Sequence, residues 1–373
     1  MGFVLSCPRL TYHIAVIVFM APDVEGTPPG GVTVIHSLAQ SLVESGMDAT
    51  VWHGKVPPVA DRVAPVVAGR QRTLRAGDVL VMPEFGGAYW SFLVGALPVV
   101  MLVQGPRGFV AGTPLDSAGG GHPYPGWPTA KAAITTSDTL YDLVRAVVPT
   151  TFPTYSVPVS LDSSVFRPRS KRRVISLMPR RRQVELNGVV QILRARGVFE
   201  TWDLQVIDGM SRDAVARALG ESAIFLSGAE FEGFALPGAE AMSAGARVVG
   251  FTGHGATEYM GEGRADIIPE GNLLEMANAV ERAIDLFENN PNEFAEQSDA
   301  GRRFIIDRYD PRNMRMAALD VFARLQEEGS DSLIQSSVDI SHYTSYARRR
   351  DRLIRRATRL RARATSRWGK RGE

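Results

Sequence analysis

Short apolar runs alternate with amphipathic helical periods twice along this chain, and that alternation leaves few folds open. In the first series, residues 14–19 read as a strand buried on both faces. Val32, Ile35, Ala39 and Leu42 then recur at helical spacing, with Gly46 as a stop. Residues 49–52, 78–82, 98–103 and 131–136 are further strands, the last followed by a helix over 138–148. Residues 157–168 carry neither period and read as a linker. A second series follows, with strands at 174–178, 202–207, 223–226 and 247–251. Helices are expected at 185–196, from the Ser211 cap to Leu219, at 236–244 and over most of 272–328. Strands alternating with helices build parallel sheets with helices on both faces. The expected architecture is α/β, two doubly wound halves without a sequence repeat between them, over residues 1–160 and 161–330, with 331–373 as a tail. Two such halves enclose a cleft, and open α/β sheets bind ligands beyond the carboxyl ends of their strands.

Composition excludes several classes. With 45% apolar and 22% charged residues the chain is of ordinary globular make-up, and 373 residues can fill two cores. Cys7 is the only cysteine, so there is no internal disulfide, Cys-rich zinc site or iron–sulfur cluster, which fits a reducing cytoplasm. No apolar run approaches the ~20 residues that span a bilayer. Residues 347–373 carry twelve basic against two acidic side chains, a net +10, which leaves −8 on the rest of a chain whose total is +2. The acidic body is not that of a nucleic-acid binder. His13, His36 and His53 lack metal-ligand spacing, and no Asp-x-Asp, Gly-x-Ser-x-Gly or P-loop occurs.

The densest chemistry lies in residues 227–245. Glu232 is expected in the loop between a buried strand and a helix, and Gly233 permits a tight turn against a ligand. Pro237 suits a first helical turn, where its missing N–H costs nothing. The free amides of Phe234, Ala235 and Leu236, with the helix dipole, suit a diphosphate. Glu240 points back to the same crevice, so one carboxylate serves sugar hydroxyls and the other a ribose, as a nucleotide sugar requires.

Glu232 and Glu240, seven residues apart, with Glu-Gly-Phe-Ala-Leu-Pro and Glu-Ala-Met-Ser-Ala-Gly around them, resemble the Glu-x7-Glu motif of retaining GT-B glycosyltransferases, especially glycosyltransferase family 4. The family's second glycine of Gly-Phe-Gly is Ala235 here. Met178-Pro179-Arg180-Arg181-Arg182 resembles the Met-Pro-Arg-Lys-Arg signature of a bacterial subgroup, which implies diphosphate contact by one or more of Arg180, Arg181 and Arg182. Gly30-Gly31 resembles the glycine pair that approaches the diphosphate from the acceptor side. His254 and Glu258 lie in a stretch that resembles the Gly-rich turn near the donor. Gln104 stands where many relatives carry a histidine near the reacting sugar; it can hydrogen-bond a hydroxyl but cannot titrate.

The resemblance implies a GT-B fold whose last helix, near 311–326, crosses back to the first domain. It also implies metal-independent, cofactor-free transfer of a hexosyl group, with retention, from a nucleotide-diphosphate sugar to a hydroxyl of a sugar or lipid-linked acceptor in bacterial polysaccharide or glycolipid synthesis. A GT-B-fold sugar-nucleotide epimerase and a non-catalytic nucleotide-sugar-binding protein are the alternatives. In the tail, Leu353, Ala357, Leu360, Ala364 and Trp368 form a narrow apolar stripe among arginines. That pattern suits peripheral attachment to an anionic membrane surface from the cytoplasmic side, or else a solvated tail. Trp52, Trp90, Trp127 and Trp202 read as packing residues.

Overall fold

The computed structural model describes residues 15–23, 30–53, 66–68, 73–84, 97–110, 124, 127–261, 263–327 and 330–340. Cys7, His13, Trp90, most of the Gly/Pro-rich stretch before Trp127 and the basic segment 346–373 lie outside them.

The first half runs β1 (Ile17–Met20), α1 (Gly30–Glu44), β2 (Ala49–His53), β3 (Val66–Ala68), β4 (Thr73–Leu74), β5 (Val79–Pro83), β6 (Val99–Val103), α2 (Pro106–Val110), β7 (Ala130–Thr135), α3 (Asp138–Val147) and β8 (Thr154–Ser156). All but β4 join one parallel sheet in the order β3-β2-β1-β5-β6-β7-β8. β1, β2, β5 and β6 are buried at every residue, because helices or loops cover both faces.

The second half runs β9 (Arg172–Leu177), α4 (Gln183–Ala195), β10 (Asp203–Val206), α5 (Arg212–Glu221), β11 (Ser222–Glu232), α6 (Leu236–Ser243), β12 (Arg247–His254), β13 (Asp266–Ile267), α7 (Leu273–Asn289) and α8 (Pro291–Arg308). Its five strands are parallel in the order β10-β9-β11-β12-β13. Ser137 and Ser211 cap α3 and α5, each accepting a backbone N–H in the first turn.

Both sheets reverse direction once, between β1 and β5 in the first and between β9 and β11 in the second. At such a switch point adjacent loops diverge and open a crevice at the carboxyl edge. The chain then returns. α9 (Pro311–Glu327) lies on α1: Arg315 pairs with Glu44 at 2.6 Å, the Ser41 hydroxyl reaches the Met314 sulfur at 3.9 Å, and Phe322 meets Phe19 edge-on. β14 (Val338–Asp339) pairs antiparallel with β4, and Leu333, Ile334 and Ile340 are buried against the first domain.

Five short strands escape the periodicity, β3, β4, β8, β13 and β14, because two or three residues carry no countable alternation. β11 corrects the expected position of Glu232. The strand continues to Glu232, which pairs with His254 after an irregularity between Ala229 and Glu232, so Glu232 ends a strand and does not sit in the following loop. The segment read as a linker is packed: Val157, Val159, Leu161 and Phe166 are buried, and the Leu161 N–H donates to the Tyr309 carbonyl at 2.8 Å. Trp52, Trp127 and Trp202 are buried.

Candidate functional site

The second domain's switch point brings the end of β9 beside the end of β11. Arg181, just past β9, donates from Nε to the Glu232 carboxylate at 2.9 Å. Arg182 is turned into the domain: it donates to the Ala229 carbonyl at 3.0 Å, pairs with Glu185 and Glu270, and lies over the Phe251 ring. Its guanidinium braces β11 and leaves little reach for a ligand. Arg180 is exposed. The basic run therefore divides into one structural member, one partner of Glu232 and one solvent-facing side chain.

The turn from β11 to α6 is compressed by backbone contact. A methyl group at Gly233 would stand 2.3 Å from the Gln104 carbonyl oxygen, and one at Gly255 2.4 Å from the Glu232 carbonyl oxygen. Only a residue without a β-carbon fits at either place. Ala235 caps α6 at φ +61°, a left-handed conformation that costs an L-residue about 1–2 kcal/mol. The departure from glycine at 235 therefore acts on the backbone. The Tyr259 hydroxyl helps to hold it, donating to the Ala235 carbonyl at 2.7 Å. Phe231, one residue before Glu232, has φ +45° and an exposed ring, with Arg107 of the first domain above it.

α6 begins at Leu236, with Pro237 in its first turn and Phe234 buried behind it. Its N-terminus faces that of α1: a methyl at Gly30 would lie 2.8 Å from Leu236 Cδ1. Two helix N-termini from two domains thus converge, each with unsatisfied N–H groups and positive dipole ends, an arrangement that favours an anion between them. Gly31 is half-buried in the first turn of α1.

Glu240 is half-buried one turn into α6. Burial pushes its carboxyl up to about 7, opposed by Arg212 at the start of α5. Glu258 looks across to the first domain. Its Oε1 accepts the Asp138 N–H at 2.6 Å, so it caps α3 from the opposite side of the cleft. Burial pushes Glu258 up to about 7, helped by the neighbouring Asp138 carboxylate and opposed by its backbone hydrogen bonds and by Arg308. His254 is exposed at φ +71°, and its carbonyl accepts the Thr257 hydroxyl at 2.6 Å.

Sequence reasoning passed over two members. Ser137 caps α3 and also donates to the Gly233 carbonyl at 2.7 Å, which locks the two domains at the turn. Arg212 sets the charge beside Glu240. The cap signal at Ser137 is visible in the sequence, but its second partner lies 96 residues away. Gln104, on the first domain, presents an amide whose nitrogen and oxygen are both shielded from solvent and lack a hydrogen-bond partner. Among the described residues no group of three His, Cys, Asp or Glu side chains could hold a metal ion. Among them, too, no helix is long and apolar enough to cross a membrane.

The chain is 33% identical over 122 residues to an α-1,6-glucosyltransferase of Actinobacillus pleuropneumoniae. That match covers 32% of this chain, and the chain spans only 36% of the length of that relative. No family model matches the chain. Among solved structures, sucrose-phosphate synthase from Thermosynechococcus elongatus superposes with a TM-score of 0.63 at 12% identity, covering 84% of this chain and 100% of that one. HepE of Anabaena, solved with UDP-glucose, gives 0.59 at 12% identity over 83% and 99% of the two chains. A TarM variant of S. aureus, solved with fondaparinux, α-GlcNAc-glycerol and UDP, gives 0.58 at 9% identity over 82% and 99%. At such identities the likeness is one of fold, and that fold is GT-B: two Rossmann-like domains facing across a cleft, as the motifs implied.

Proposed function

We propose that this chain is a retaining glycosyltransferase of the family 4 type that moves a hexosyl group from a nucleotide-diphosphate sugar to a hydroxyl acceptor without a metal ion. The observation that carries this reading is the convergence of the α1 and α6 N-termini beside Glu232 and Glu240. The diphosphate occupies the gap between the two helix ends, with Arg181 and Arg180 as its charged neighbours. Glu232 accepts hydroxyls of the donor sugar and Glu240 those of the ribose, while Gly233 lets the backbone come close. Gln104 stands near the reacting centre on the first-domain side.

On this reading the bond from the anomeric carbon to the diphosphate oxygen breaks and a bond to the acceptor oxygen forms on the same face. The acceptor proton passes to the departing diphosphate oxygen. The protein contributes orientation and stabilises the charge that builds on that oxygen. The named relative, an α-1,6-glucosyltransferase, and neighbours solved with UDP or UDP-glucose favour this chemistry. Calorimetry with nucleoside diphosphates, followed by NMR of the product's anomeric configuration, tests it. A chain that binds no nucleoside diphosphate, or forms an inverted product, refutes the reading.

The basic segment 346–373 supports a lipid-linked acceptor at an anionic cytoplasmic membrane surface, since each basic residue there adds about 1 kcal/mol of attraction. Sedimentation with anionic vesicles, full chain against a chain ending at Ser345, decides this; equal binding by both disposes of it.

A further inference from the structure

We infer that Glu84 and Gln104, at the carboxyl ends of the neighbouring strands β5 and β6, hold the hydroxyls of a neutral sugar acceptor; this rests on the transfer reaction proposed above. The two strands are in register through Met82 with Met101 and Pro83 with Leu102, so Glu84 leaves β5 opposite Val103, one residue before Gln104 on the neighbouring strand. β5 also borders the switch point of the first sheet, where a ligand crevice is expected. Glu84 is 6% exposed, and its Oε1 lies 3.5 Å from where a methyl on Gly105 would stand, so the carboxylate reaches the residue next to Gln104. A carboxylate is rarely buried at a strand end without a task, because desolvation is costly.

The Gln104 amide supplies the second observation. Its nitrogen and oxygen are both shielded and both without a partner, as is the buried Tyr124 hydroxyl. Native proteins seldom leave such groups unpaired, so these atoms are open to a partner that the chain itself does not supply, a ligand hydroxyl or a water. Tyr124 is also electrostatically close to Glu84, whose charge adds to burial in holding the phenol protonated. The cluster thus offers amide donors, a phenol donor, an amide acceptor and a carboxylate, a set that matches a polyhydroxyl ring. The carboxylate disfavours an acidic sugar.

Position ties the cluster to the reaction. The Gln104 carbonyl abuts Gly233, the residue after Glu232, so an acceptor held here lies against the donor turn. Both amide atoms are shielded from solvent in this arrangement of the domains, so the subsite fills with the domains apart and is enclosed when they meet.

The full chain, Glu84→Gln and Gln104→Met are compared. UDP, ADP, GDP and dTDP are ranked by thermal shift, and the strongest binder's glucose or mannose conjugate serves as donor. Methyl α-glucoside, methyl α-mannoside, methyl α-galactoside and methyl α-glucuronide serve as acceptors. The wild type is expected to use at least one neutral glycoside and to spare the glucuronide. Both variants are expected to raise the acceptor KM at least tenfold while nucleoside diphosphate affinity stays within twofold. Gln104→Met is expected to raise Tm, because two orphaned atoms are removed. An unchanged acceptor KM, a parallel loss of nucleotide affinity, a lowered Tm in Gln104→Met, or equal use of the glucuronide overturns the assignment. So does a wild type that binds nucleotide yet uses no neutral glycoside. A wild type that binds no nucleotide fails at the transfer reading itself.

Discussion

The carboxyl edges of the two sheets are finished in opposite ways. On the second domain most of the polar groups named at the edge already have protein partners: Glu232 has Arg181, Tyr259 has the Ala235 carbonyl, Ser227 has the Phe251 carbonyl at 2.8 Å, and Glu258 has the Asp138 N–H on one oxygen, with its Oε2 left over. Its turns are pressed together to the point where Gly233 and Gly255 cannot carry a β-carbon. On the first domain, the Gln104 amide and the Tyr124 hydroxyl are buried without partners. One edge is organised by its own packing, and the other keeps hydrogen-bonding capacity in reserve. A donor common to many enzymes suits the first kind of edge, and a particular acceptor suits the second. Preorganisation lowers the cost of holding a fixed group, while unpaired polar atoms reject ligands that fail to match them.

The strongest way to break this contrast is to enlarge Gly233. Gly233→Ala places a methyl against the Gln104 carbonyl, so it is expected to destabilise by about 1–3 kcal/mol and to separate the domains at the turn. Transfer is expected to fall more than a hundredfold; thermal melts and steady-state rates with a nucleotide-sugar donor measure both, and a wild-type Tm and rate would show that the compression is incidental. Next come the carboxylates. Glu232→Gln and Glu240→Gln are each expected to lose about ten- to a hundredfold in kcat/KM, the worth of a charge-assisted hydrogen bond of about 1.5–3 kcal/mol. Unaltered rates in both would remove the donor assignment from this edge.

A smaller effect concerns pH. Glu240 and Glu258 are raised from 4.5 to about 7, so between those values the folded chain holds protons that the unfolded chain has released. Their contribution to stability is complete below pH 4.5 and is lost as the pH rises through 7. The wild type is therefore expected to lose Tm from pH 5 to pH 8, and the double variant Glu240→Gln/Glu258→Gln to show a flatter profile. Parallel profiles would mean that neither group is raised. The least effect is expected from Ala235→Gly, which relieves a left-handed alanine and should stabilise by about 0.5–1 kcal/mol, measurable by denaturant melts; a loss of stability would place the strain elsewhere.

Much of the second edge was legible because its residues are close in sequence. Glu232, Gly233, Pro237 and Glu240 fall within one strand–turn–helix unit, so spacing alone brings them to one place. The run at Arg180–Arg182 was legible as charge but not as roles. Whether a guanidinium faces a cleft or Phe251 depends on rotamers and neighbours. Ala235 reads in the sequence as a substituted glycine, yet its consequence is a backbone angle. Glu84 carried a faint signal, a carboxylate directly after a buried run, and nothing in its neighbourhood distinguished it from an ordinary loop acid.

By itself, the sequence determined the two parallel sheets, their capped helices and the turn that carries two glutamates. Each of these follows from apolar spacing and local chemistry over fewer than twenty residues. The family resemblance implied that the last helix crosses back, but tertiary structure alone decided which residues seat α9 on α1, that Ser137 and Glu258 bridge the halves, and that Gln104 is left with nothing to bond. Asp138 and Glu258 are 120 residues apart, Glu44 and Arg315 are 271 apart, and no local period encodes such a pair. These contacts exist because two sheets, each burying its own core, must close on one another, and only that closure determines which polar groups meet and which are stranded.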